Sequence, residues 1–594
     1  MKTKTTALWF VFAAALAAFI WLYETKLQPA PPVHTALLAG LRAADVTAIQ
    51  IIPAGGWEIS AVRTNGVWQL EKPLAYPAQA AAIQALLASL EQLSPILRLT
   101  AAEMQGRKNA DSEFGFENPQ FKLDLTAGDQ NWYLTVGNLT APGDGVYVRV
   151  GGEAGAYVTD TDWLRLLPRE ATAWRDTGLV DVVGKVDWLV ITNGTRVIEL
   201  RRNATNHLWR MTSPLDARAN NLRIVTALQQ LSSAKVSQFV TDNPKADLTA
   251  YGLQPAALDV WLGSGTNYLA AVHVGKDSPD HPGEVFAQRE DWSSVLTVAS
   301  NTFAAWRGTV NDFRDPRLLN FTGPVAEIDV RGTNGFTLKA DGANGWRVAG
   351  EKFPVDEDSL KEFVQLLANL PIAEFVKDLG TATDLQGYGI STNSRAIILR
   401  FIADDTNSVK AQLVFGTAGT NRIFVKRGDE GFVYALALDD YKRLPEYGWE
   451  FRDRRIWNFS ETNVSEITLH QGGKTRQILR TGANSWSLMP GSQGIINPLA
   501  IEETVRRLGQ LDAIAWAGRN FPTPETFGLD TNNLDLLVEL KNGEKRSVDF
   551  GGIVPGRQTV YAAVTLDGER WIFEFPPALC ALVAAYLTIP QKDP

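Results

Sequence analysis

The sequence has very little thiol chemistry, because Cys580 is the single cysteine among 594 residues. No disulfide can form within the chain, and no metal site built from several cysteines is available. The five histidines are scattered, and the two that lie closest, His273 and His281, flank a segment typical of a polar turn. We therefore expect no metal site.

Basic residues are scarce relative to acidic ones. There are 57 Lys and Arg residues against 66 Asp and Glu residues, and the formal net charge is −9. An acidic chain without a basic stripe is a poor match for phosphate backbones, so we expect no nucleic-acid partner. The sequence also lacks G-x-S-x-G, P-loop, dinucleotide-binding and H-E-x-x-H motifs. We therefore assign no catalytic residue and no cofactor.

Charge is absent from residues 5–23, a long apolar segment near the N-terminus. A helix of this length spans about 28 Å, close to the hydrocarbon thickness of a bilayer. Lys2 and Lys4 precede the segment, and the positive-inside rule keeps such a tail in the cytoplasm and places the body outside it. Residues 5–23 are therefore predicted to form a transmembrane helix in contact with lipid.

Two interpretations of this leader stay open. The Ala-x-Ala pattern typical of signal-peptide cleavage occurs at 13–15 and 15–17, inside the apolar segment rather than after it. We therefore favour an uncleaved signal anchor at residues 1–27 over a cleaved signal peptide. Residues 28–45 start with a Pro-rich stretch and are predicted to be a linker.

Tryptophan recurs at a nearly constant interval along the rest of the chain. Trp68, Trp209, Trp346 and Trp486 are separated by 141, 137 and 140 residues, and each follows an Asn-containing turn. Three more landmarks follow each of them in the same order. They are an aromatic-Gly-apolar triplet (114–116, 251–253, 388–390, 527–529), an apolar-Gly pair (136–137, 274–275, 415–416, 550–551) and a V-Y-V-R-like strand (146–149, 285–289, 423–427, 560–564).

Each repeat has the pattern of one small domain. An alternating strand opens it, a second strand runs into the Asn turn, and the Trp strand returns as a hairpin. Apolar stripes at helical spacing then predict one amphipathic helix per repeat. The fold class is therefore α+β: an N-terminal transmembrane helix followed by four tandem, mainly antiparallel-sheet repeats, each with an amphipathic helix, at residues 46–184, 185–322, 323–461 and 462–594.

The shared tryptophan and the shared glycine each have a structural interpretation. The tryptophan lies on the same strand face as the apolar residue two positions later, so we interpret it as a core anchor, with ligand stacking as the alternative. In the aromatic-Gly triplet, we expect glycine to supply a backbone angle or a close approach that a side chain would block.

An aromatic-Arg-Asp motif ends the first three repeats. It contains Arg175 and Asp176, Arg314 and Asp315, and Arg452 and Asp453. One interpretation is a binding site. We favour a structural one, in which the aromatic residue fills the preceding core and the Arg-Asp pair ties the junction to the next repeat. The fourth repeat has no successor and lacks the motif, as a junction role predicts.

Two further sets of residues are weaker candidates for chemistry. A carboxylate recurs in one strand, and we interpret it as the solvent face of that strand rather than a catalytic acid, at Asp124, Asp259 and Asp535. Four tryptophans lie outside the shared position and are either ligand-stacking residues or local core packing: Trp132, Trp163, Trp261 and Trp292.

These motifs together resemble the domain-of-unknown-function 4340 family of bacterial envelope proteins. The resemblance covers nearly the whole chain from residue 46, and the fourth repeat departs most, since it lacks the Arg-Asp ending and the basic residue of the V-Y-V-R strand. It implies a single-pass protein of the inner membrane with a periplasmic body. It further implies an ABC-type transporter as a neighbour and partner, and it supplies no catalytic residues.

We therefore expect a non-enzymatic, membrane-anchored envelope protein that acts as a scaffold or accessory subunit, with subunits of an ABC-type transporter as partners. An extracytoplasmic protein that binds a glycan or another small ligand is the alternative. A hydrolase whose residues come from separate loops and leave no linear motif is a third hypothesis.

Overall fold

The computed structural model describes residues 3–26, 36–180, 186–321, 323–342, 345–401, 410–529 and 534–589. These residues form four antiparallel β-sheets of eight or nine strands, one within each predicted repeat. The α+β class with tandem sheet repeats is therefore confirmed. The chain divides into two compact units, Met1–Pro214 with Asn221–Gly308, and Leu215–Asn220 with Thr309–Pro594. The predicted boundary near residues 184 and 185 lies outside the described residues.

Repeats 1 and 2 contain the following elements. Repeat 1 has β1 (Ala48–Pro53), β2 (Ile59–Thr64), β3 (Val67–Lys72), β4 (Tyr76–Pro77), α2 (Ala80–Glu91), β5 (Leu97–Leu99), α3 (Ala101–Gln105), α4 (Ala110–Glu113), β6 (Phe121–Ala127), β7 (Gln130–Leu139), β8 (Val146–Val150) and β9 (Ala156–Thr159), after the N-terminal α1 (Thr3–Lys26). Repeat 2 has β10 (Trp188–Asn193), β11 (Arg196–Arg202), β12 (Trp209–Ser213), β13 (Ala217–Arg218), α5 (Asn221–Ser233), β14 (Val236–Thr241), β15 (Leu258–Ser264), β16 (Asn267–Asp277), β17 (Glu284–Arg289) and β18 (Val295–Ala299).

Repeats 3 and 4 contain matching elements. Repeat 3 has β19 (Val325–Arg331), β20 (Phe336–Ala340), β21 (Trp346–Val348), α6 (Glu357–Ala368), β22 (Glu374–Lys377), α7 (Ala382–Gly387), β23 (Ala396–Phe401), β24 (Lys410–Ala418), β25 (Arg422–Arg427), β26 (Val433–Ala437) and α8 (Leu438–Lys442). Repeat 4 has β27 (Val464–Gln471), β28 (Lys474–Gly482), β29 (Ser485–Leu488), α9 (Pro498–Leu508), β30 (Trp516–Arg519), β31 (Leu534–Leu540), β32 (Lys545–Ile553), β33 (Val560–Leu566), β34 (Glu569–Phe575) and α10 (Pro577–Leu582).

The four sheets share one strand order. In repeat 1 the order is β4-β3-β2-β1-β6-β7-β8-β9-β5, so two meanders meet at the β1–β6 pair. The helix α2 crosses between them, and the short strand after it, β5, joins the far edge. The equivalent edge strands of the other sheets are β14, β22 and β30. The predicted hairpin from the second strand into the Trp strand is confirmed as β2–β3.

The amphipathic helix of each repeat packs its apolar stripe into the core. In repeat 1, Ile83, Leu86, Leu87 and Leu90 of α2 are fully buried and join one cluster with the inward residues of the sheet. The helices α5, α6 and α9 likewise bury most of the stripes predicted from their spacing, but Val225 of α5 is exposed and Ala227 takes its place in the core, so the prediction is wrong for Val225. Sealing one face of a sheet in this way stabilises it by roughly 1.5–3 kcal/mol per large apolar side chain.

The shared tryptophan is a core residue in three repeats. Trp68, Trp209 and Trp486 are buried, whereas Trp346 is only half-buried. The strand that carries Trp346, β21, has only three residues. The aromatic packing in this core comes instead from Phe451, which contacts Phe336 of β20 and Phe363 of α6. The core-anchor interpretation is therefore wrong in part for Trp346.

The remaining three landmarks meet at one place in each repeat. In repeat 3, the ring of Tyr388 packs against Phe424 with centroids 4.7 Å apart, and a Cβ added to Gly416 would lie 2.2 Å from the Tyr388 carbonyl oxygen. The other repeats have the same ring contact, with centroids 4.5 to 5.1 Å apart, between Phe114 and Tyr147, Tyr251 and Phe286, and Phe527 and Tyr561. Three motifs far apart in sequence therefore form a single contact.

A β-bulge makes room for this contact. The register of β24 on β25 shifts between Phe415 and Ala418, and the Thr417 N–H donates to the Tyr388 carbonyl at 2.9 Å. The other three sheets shift register at the equivalent point. Gly389 of the triplet has a φ of 69°, a conformation that costs glycine little. The prediction for the triplet glycine is confirmed, because Gly389 has a positive φ and a Cβ there would also lie only 3.0 Å from the Thr417 backbone nitrogen.

Two sequence assignments at the N-terminus compare with the structure as follows. Among the residues that the structure describes, none of the helices combines the length and the apolar character that crossing a membrane requires. Residues 28–35 of the predicted linker lie outside the described residues. Its second half is part of repeat 1, because Leu37, Leu38 and Leu41 are buried in the core of that repeat.

Replacing Gly416 with alanine should destabilise repeat 3 by about 3 kcal/mol, because the new Cβ would press on a backbone oxygen that cannot rotate away. Gly387→Ala in α7 is the matched control: open space surrounds that position, and alanine should change stability by less than about 1 kcal/mol. Urea unfolding followed by tryptophan fluorescence, with hydrogen exchange of β24, measures both. Equal stability of the two variants would contradict the interpretation.

Candidate functional site

The first aromatic-Arg-Asp motif is a short strand-like joint between repeats 1 and 2. Trp174 is buried in the core of repeat 1. The Gln79 N–H donates to the Trp174 carbonyl at 2.8 Å, and the Asp176 N–H donates to the Pro77 carbonyl at 2.9 Å. Leu179 then bonds to Ala234 after α5, so the chain enters repeat 2 directly.

The second unit contains the same bonds twice. Phe313 and Phe451 are buried, and each carbonyl accepts a hydrogen bond from the residue after the Trp hairpin. In the second motif, the Asn220 N–H donates to the Phe313 carbonyl and the Asp315 N–H donates to the Arg218 carbonyl. In the third motif, the Asp356 N–H donates to the Phe451 carbonyl and the Asp453 N–H donates to the Pro354 carbonyl. Three copies of one backbone pattern are what a recurring motif with a structural role requires.

The aspartate of each motif caps the turn that follows it. One carboxylate oxygen accepts the backbone N–H two residues later, at 2.8, 3.1 and 3.0 Å. The pairs are Asp176 with Gly178, Asp315 with Arg317, and Asp453 with Arg455. This is a local Asx turn, which fixes the direction of the chain at the junction.

The arginine of each motif reaches the edge strand of the next sheet. The guanidinium of Arg175 donates to both oxygens of Asp242, at 2.8 and 2.7 Å, and lies 4.8 Å from the ring centroid of Phe239 on β14. Arg314 repeats this arrangement with Asp378, at 2.6 Å, and with Phe375 on β22. Both arginines are almost fully buried.

Arg452 uses a different acid for the same purpose. It pairs with Asp567 in the turn between β33 and β34, at 3.1 Å, and lies 4.3 Å from the ring centroid of Trp571. Trp516 of the edge strand β30 donates its indole N–H to the Arg452 carbonyl. The acidic partners of Arg175 and Arg314 share a sequence signal, because Asp242 and Asp378 each lie three residues after the edge-strand phenylalanine, in QFVTD and EFVKD. The partner of Arg452 lies in a different turn.

The first junction couples stability to pH through Asp242. Burial alone would raise the pKa of Asp242, but hydrogen bonds from Arg175 and Ser294 hold it below its ordinary value. A carboxylate with a lowered pKa stabilises the fold above its unfolded pKa, and this contribution is lost as the pH falls through the lower, folded value.

Arg175→Met should destabilise the first unit by about 2 kcal/mol, because the apolar stem is kept while Asp242 loses its buried partner. The variant should also lose less of its remaining stability on acidification below pH 4 than the wild type does. Arg165→Met is the matched control, since Arg165 and its partner Asp162 are exposed and the pair contributes little. Chemical unfolding at pH 7, pH 4 and about pH 2.5 provides the comparison.

A second pair of junction arginines appears only in the strand register. Val136, Val274 and Phe415 each precede the bulge glycine and face Val148, Ala287 and Val425. In this alignment Arg289 and Arg427 occupy the same position and donate to the junction carbonyls of Gly178 and Leu318. Arg149 lies one residue earlier, on the other face of its strand, so the V-Y-V-R landmark does not align the three arginines.

The recurring strand carboxylates do not form a single row. Asp259 and Asp535 hold equivalent positions. Each follows the residue that pairs, on the adjacent strand, with the residue just before the bulge glycine. In repeat 1 this position is occupied by Lys122. Asp124 lies two residues further along the same face. Asp259 contacts His273 at 2.6 Å and Asp535 contacts His470 at 2.7 Å. Within the described residues, no group of three or more His, Cys, Asp or Glu side chains is arranged to hold a metal ion.

The four tryptophans outside the shared position have separate surroundings. Trp163 is buried and donates to the Asp160 carbonyl, and Trp132 is largely buried and donates to the Ala39 carbonyl. Trp292 packs on Tyr76 at the first junction. Trp261 lies half-buried on the outer sheet face beside Tyr268. The structure does not bring the four together.

A polar pocket of about 600 Å³ lies next to the third junction. Its walls are the β19–β20 turn, Arg395 just before β23, the end of α8 with the segment that follows it to residue 450, and Trp516 of β30. Glu450 separates this pocket from a smaller one between α6 and β30. No landmark of the repeat pattern pointed to this place, because its lining residues come from turns of repeat 3 and from β30 of repeat 4 rather than from the repeated motifs.

Glu450 holds the short helical turn that precedes Arg452. Its Oε1 accepts the backbone N–H groups of Glu446 and Tyr447, both at 2.8 Å. Burial raises the pKa of Glu450 above its ordinary value; the two backbone donors oppose that shift, and the charge of Glu446 adds to it. A carboxyl with a raised pKa stabilises the fold below its unfolded pKa, and this contribution is lost as the pH rises through the folded value.

Comparison with known proteins bears on the repeats. The model of the domain of unknown function DUF4340 matches residues 68–206, 209–380 and 346–531. The chain belongs to the DUF4340 family. The three matched segments begin at the shared tryptophans Trp68, Trp209 and Trp346, and each contains one aromatic-Arg-Asp motif. Each matched segment therefore spans one junction of this chain. No curated protein matches the chain.

Glu450→Gln should make this DUF4340 protein more stable than the wild type at pH 7, with a gain that shrinks towards zero as the pH falls below about 4.5, where the wild-type carboxyl is neutral too. Glutamine keeps an oxygen for the two backbone donors and removes the buried charge. Thermal unfolding from pH 4 to pH 8 tests this. A variant less stable than the wild type at every pH would show that the charge itself is needed.

Proposed function

We propose that this DUF4340 protein is a non-enzymatic, membrane-anchored scaffold of the cell envelope and an accessory subunit of an ABC-type transporter. The observation that carries this proposal is the junction. The recurring residues with ionisable side chains, the Arg-Asp pairs, have their hydrogen-bonding groups directed to neighbouring strands and turns. Residues used in this way support an array of domains rather than a reaction.

The outer sheet faces support a binding role for such an array. One position of the strand next to the bulge carries Lys122 in repeat 1, Asp259 in repeat 2 and Asp535 in repeat 4, whereas the equivalent Ala396 of repeat 3 is buried. The inner contacts are kept while the charge at this position changes in repeats 1, 2 and 4. Four similar domains with different surfaces suit the recognition of several sites on a partner.

The membrane anchor in this proposal is the segment of residues 5–23. It carries no charged residue and follows Lys2 and Lys4, and its helix α1 extends from Thr3 to Lys26. The protein would then be a single-pass protein of the inner membrane, with its N-terminus in the cytoplasm and its repeats in the periplasm. The choice of an ABC-type transporter as partner rests on the family resemblance.

Affinity purification from detergent-solubilised membranes tests the proposal. The full-length protein with a C-terminal tag should recover the membrane and ATP-binding subunits of a transporter in a fixed ratio to the bait. The control variant keeps residues 1–45 and replaces the repeats with an unrelated periplasmic domain, and it should recover neither. Recovery of no transporter subunit, or equal recovery by the control, would refute the proposed role of the repeats.

A further inference from the structure

We infer that the pocket beside the third junction binds a carbohydrate that carries a carboxylate group. This pocket, called here the repeat 3 pocket, is formed by Arg331, Arg395, Lys442, Tyr447, Trp449 and Glu450 together with their neighbours. Its volume of about 600 Å³ suits a ligand of one to three sugar rings. The inference goes beyond the scaffold role, and it can stand or fall without that role.

Arg395 provides the group that would bind a carboxylate. Its guanidinium lies 5.2 Å from the ring centroid of Tyr441 and donates to the Pro445 carbonyl, two contacts that hold the side chain in place. Among the described residues, no carboxylate oxygen lies within 4 Å of the Arg395 guanidinium, although its charge opposes the rise in the pKa of Glu450 across the pocket. A guanidinium carries five N–H donors, so donors that the Pro445 carbonyl does not use remain to bind an anion.

The aromatic residues on the wall of the pocket suit a sugar ring. Tyr447 and Trp449 stack with centroids 5.1 Å apart and planes 22° apart, and both are half-buried. The C–H groups on one face of a pyranose carry partial positive charge, and an aromatic face is negative at its centre. Such a surface is too flat to choose between sugars, and it therefore contributes affinity more than specificity.

Two carboxylates supply acceptors for hydroxyl groups. Glu446 accepts from Asn334 through Oε1, and Glu450 accepts its two backbone N–H groups through Oε1. Within the described residues, the Oε2 atom of each accepts no hydrogen bond. Hydroxyl groups of a sugar can donate to both atoms.

The balance of charge selects a ligand with one negative group rather than several. Arg331 is already paired with Asp329 at 2.9 Å, and Lys442 lies 3.9 Å from Asp439. Arg395 is therefore the cation left for a ligand, and the two glutamates would repel a phosphate or a nucleotide. A uronic acid has one carboxylate, several hydroxyl groups and an apolar ring face, which match Arg395, the glutamates and the Tyr447–Trp449 pair.

Isothermal titration calorimetry of the full-length protein in detergent tests this inference with methyl β-D-glucuronide, a sugar with one carboxylate, as the probe. We expect saturable binding of methyl β-D-glucuronide, at least tenfold weaker binding of the neutral methyl β-D-glucoside, and no competition by inorganic phosphate. Arg395→Met should weaken binding of the glucuronide at least tenfold and should bring it to the level of the glucoside. Trp449→Ala should weaken both sugars.

The matched control is Arg422→Met in the same repeat. Arg422 also lies over an aromatic ring, that of Phe424, but it faces Glu374 outside the pocket, so its loss should leave binding unchanged. Arg395→Lys keeps the positive charge but lacks the two parallel N–H donors of a guanidinium, so its affinity should be intermediate. This variant keeps the test decisive even if Arg395→Met fails to fold. Absence of binding, equal affinity for both sugars, competition by phosphate, or full affinity of the Arg395 variants would each overturn the inference.

Discussion

A bulge glycine set against a backbone carbonyl is the constraint on which each repeat depends. At Gly416 there is no space for even a methyl group, and the same is true of its counterparts Gly137, Gly275 and Gly551. The close approach brings the aromatic of one loop onto the aromatic of a strand and closes the outer side of the sheet near its edge. Because the contact joins segments about thirty residues apart, it fixes the loop between α-helix and sheet without a disulfide, which a chain with one cysteine could not supply.

Two kinds of interaction fix the direction of the chain at each junction. Backbone hydrogen bonds and an Asx turn set the path, and a buried arginine crosses from that path to the next edge strand. Taking an arginine out of water is costly unless its donors are paired and its flat face is covered. Arg175 and Arg314 each have a phenylalanine beneath the guanidinium; Arg175 pairs two nitrogens with Asp242, and Arg314 pairs one with Asp378. The Nε of Arg175 and the Nη2 of Arg314 are buried without a hydrogen bond among the described residues, so part of that cost is not offset.

Sequence reasoning identified the parts of this fold that depend on local pattern, and missed those that depend on three-dimensional pairing. The hairpin at Trp68, the stripe of α2 and the two roles of glycine follow from periodicity and backbone geometry. The position of Arg149 relative to Arg289 does not, since a shift of one residue in a strand reverses the face and only the register reveals it. Asp242 and Asp378, the partners of Arg175 and Arg314, recur in QFVTD and EFVKD, a signal that sequence reasoning overlooked. Asp567 and the pocket at Arg395 lie outside the repeated landmarks and so leave no periodic signal.

The junction arginines also govern how the sheets meet solvent at their margins. An open strand edge can pair with a strand from another molecule, which is a common route to aggregation. The edge strands β14, β22 and β30 each have an aromatic side chain beneath an arginine from the preceding junction segment. The edge strand β5 has no such cover, and Ile96 and Leu97 are more than half exposed there. Its own Arg98 places a charge at that margin, which discourages a second chain from adding on as a further strand.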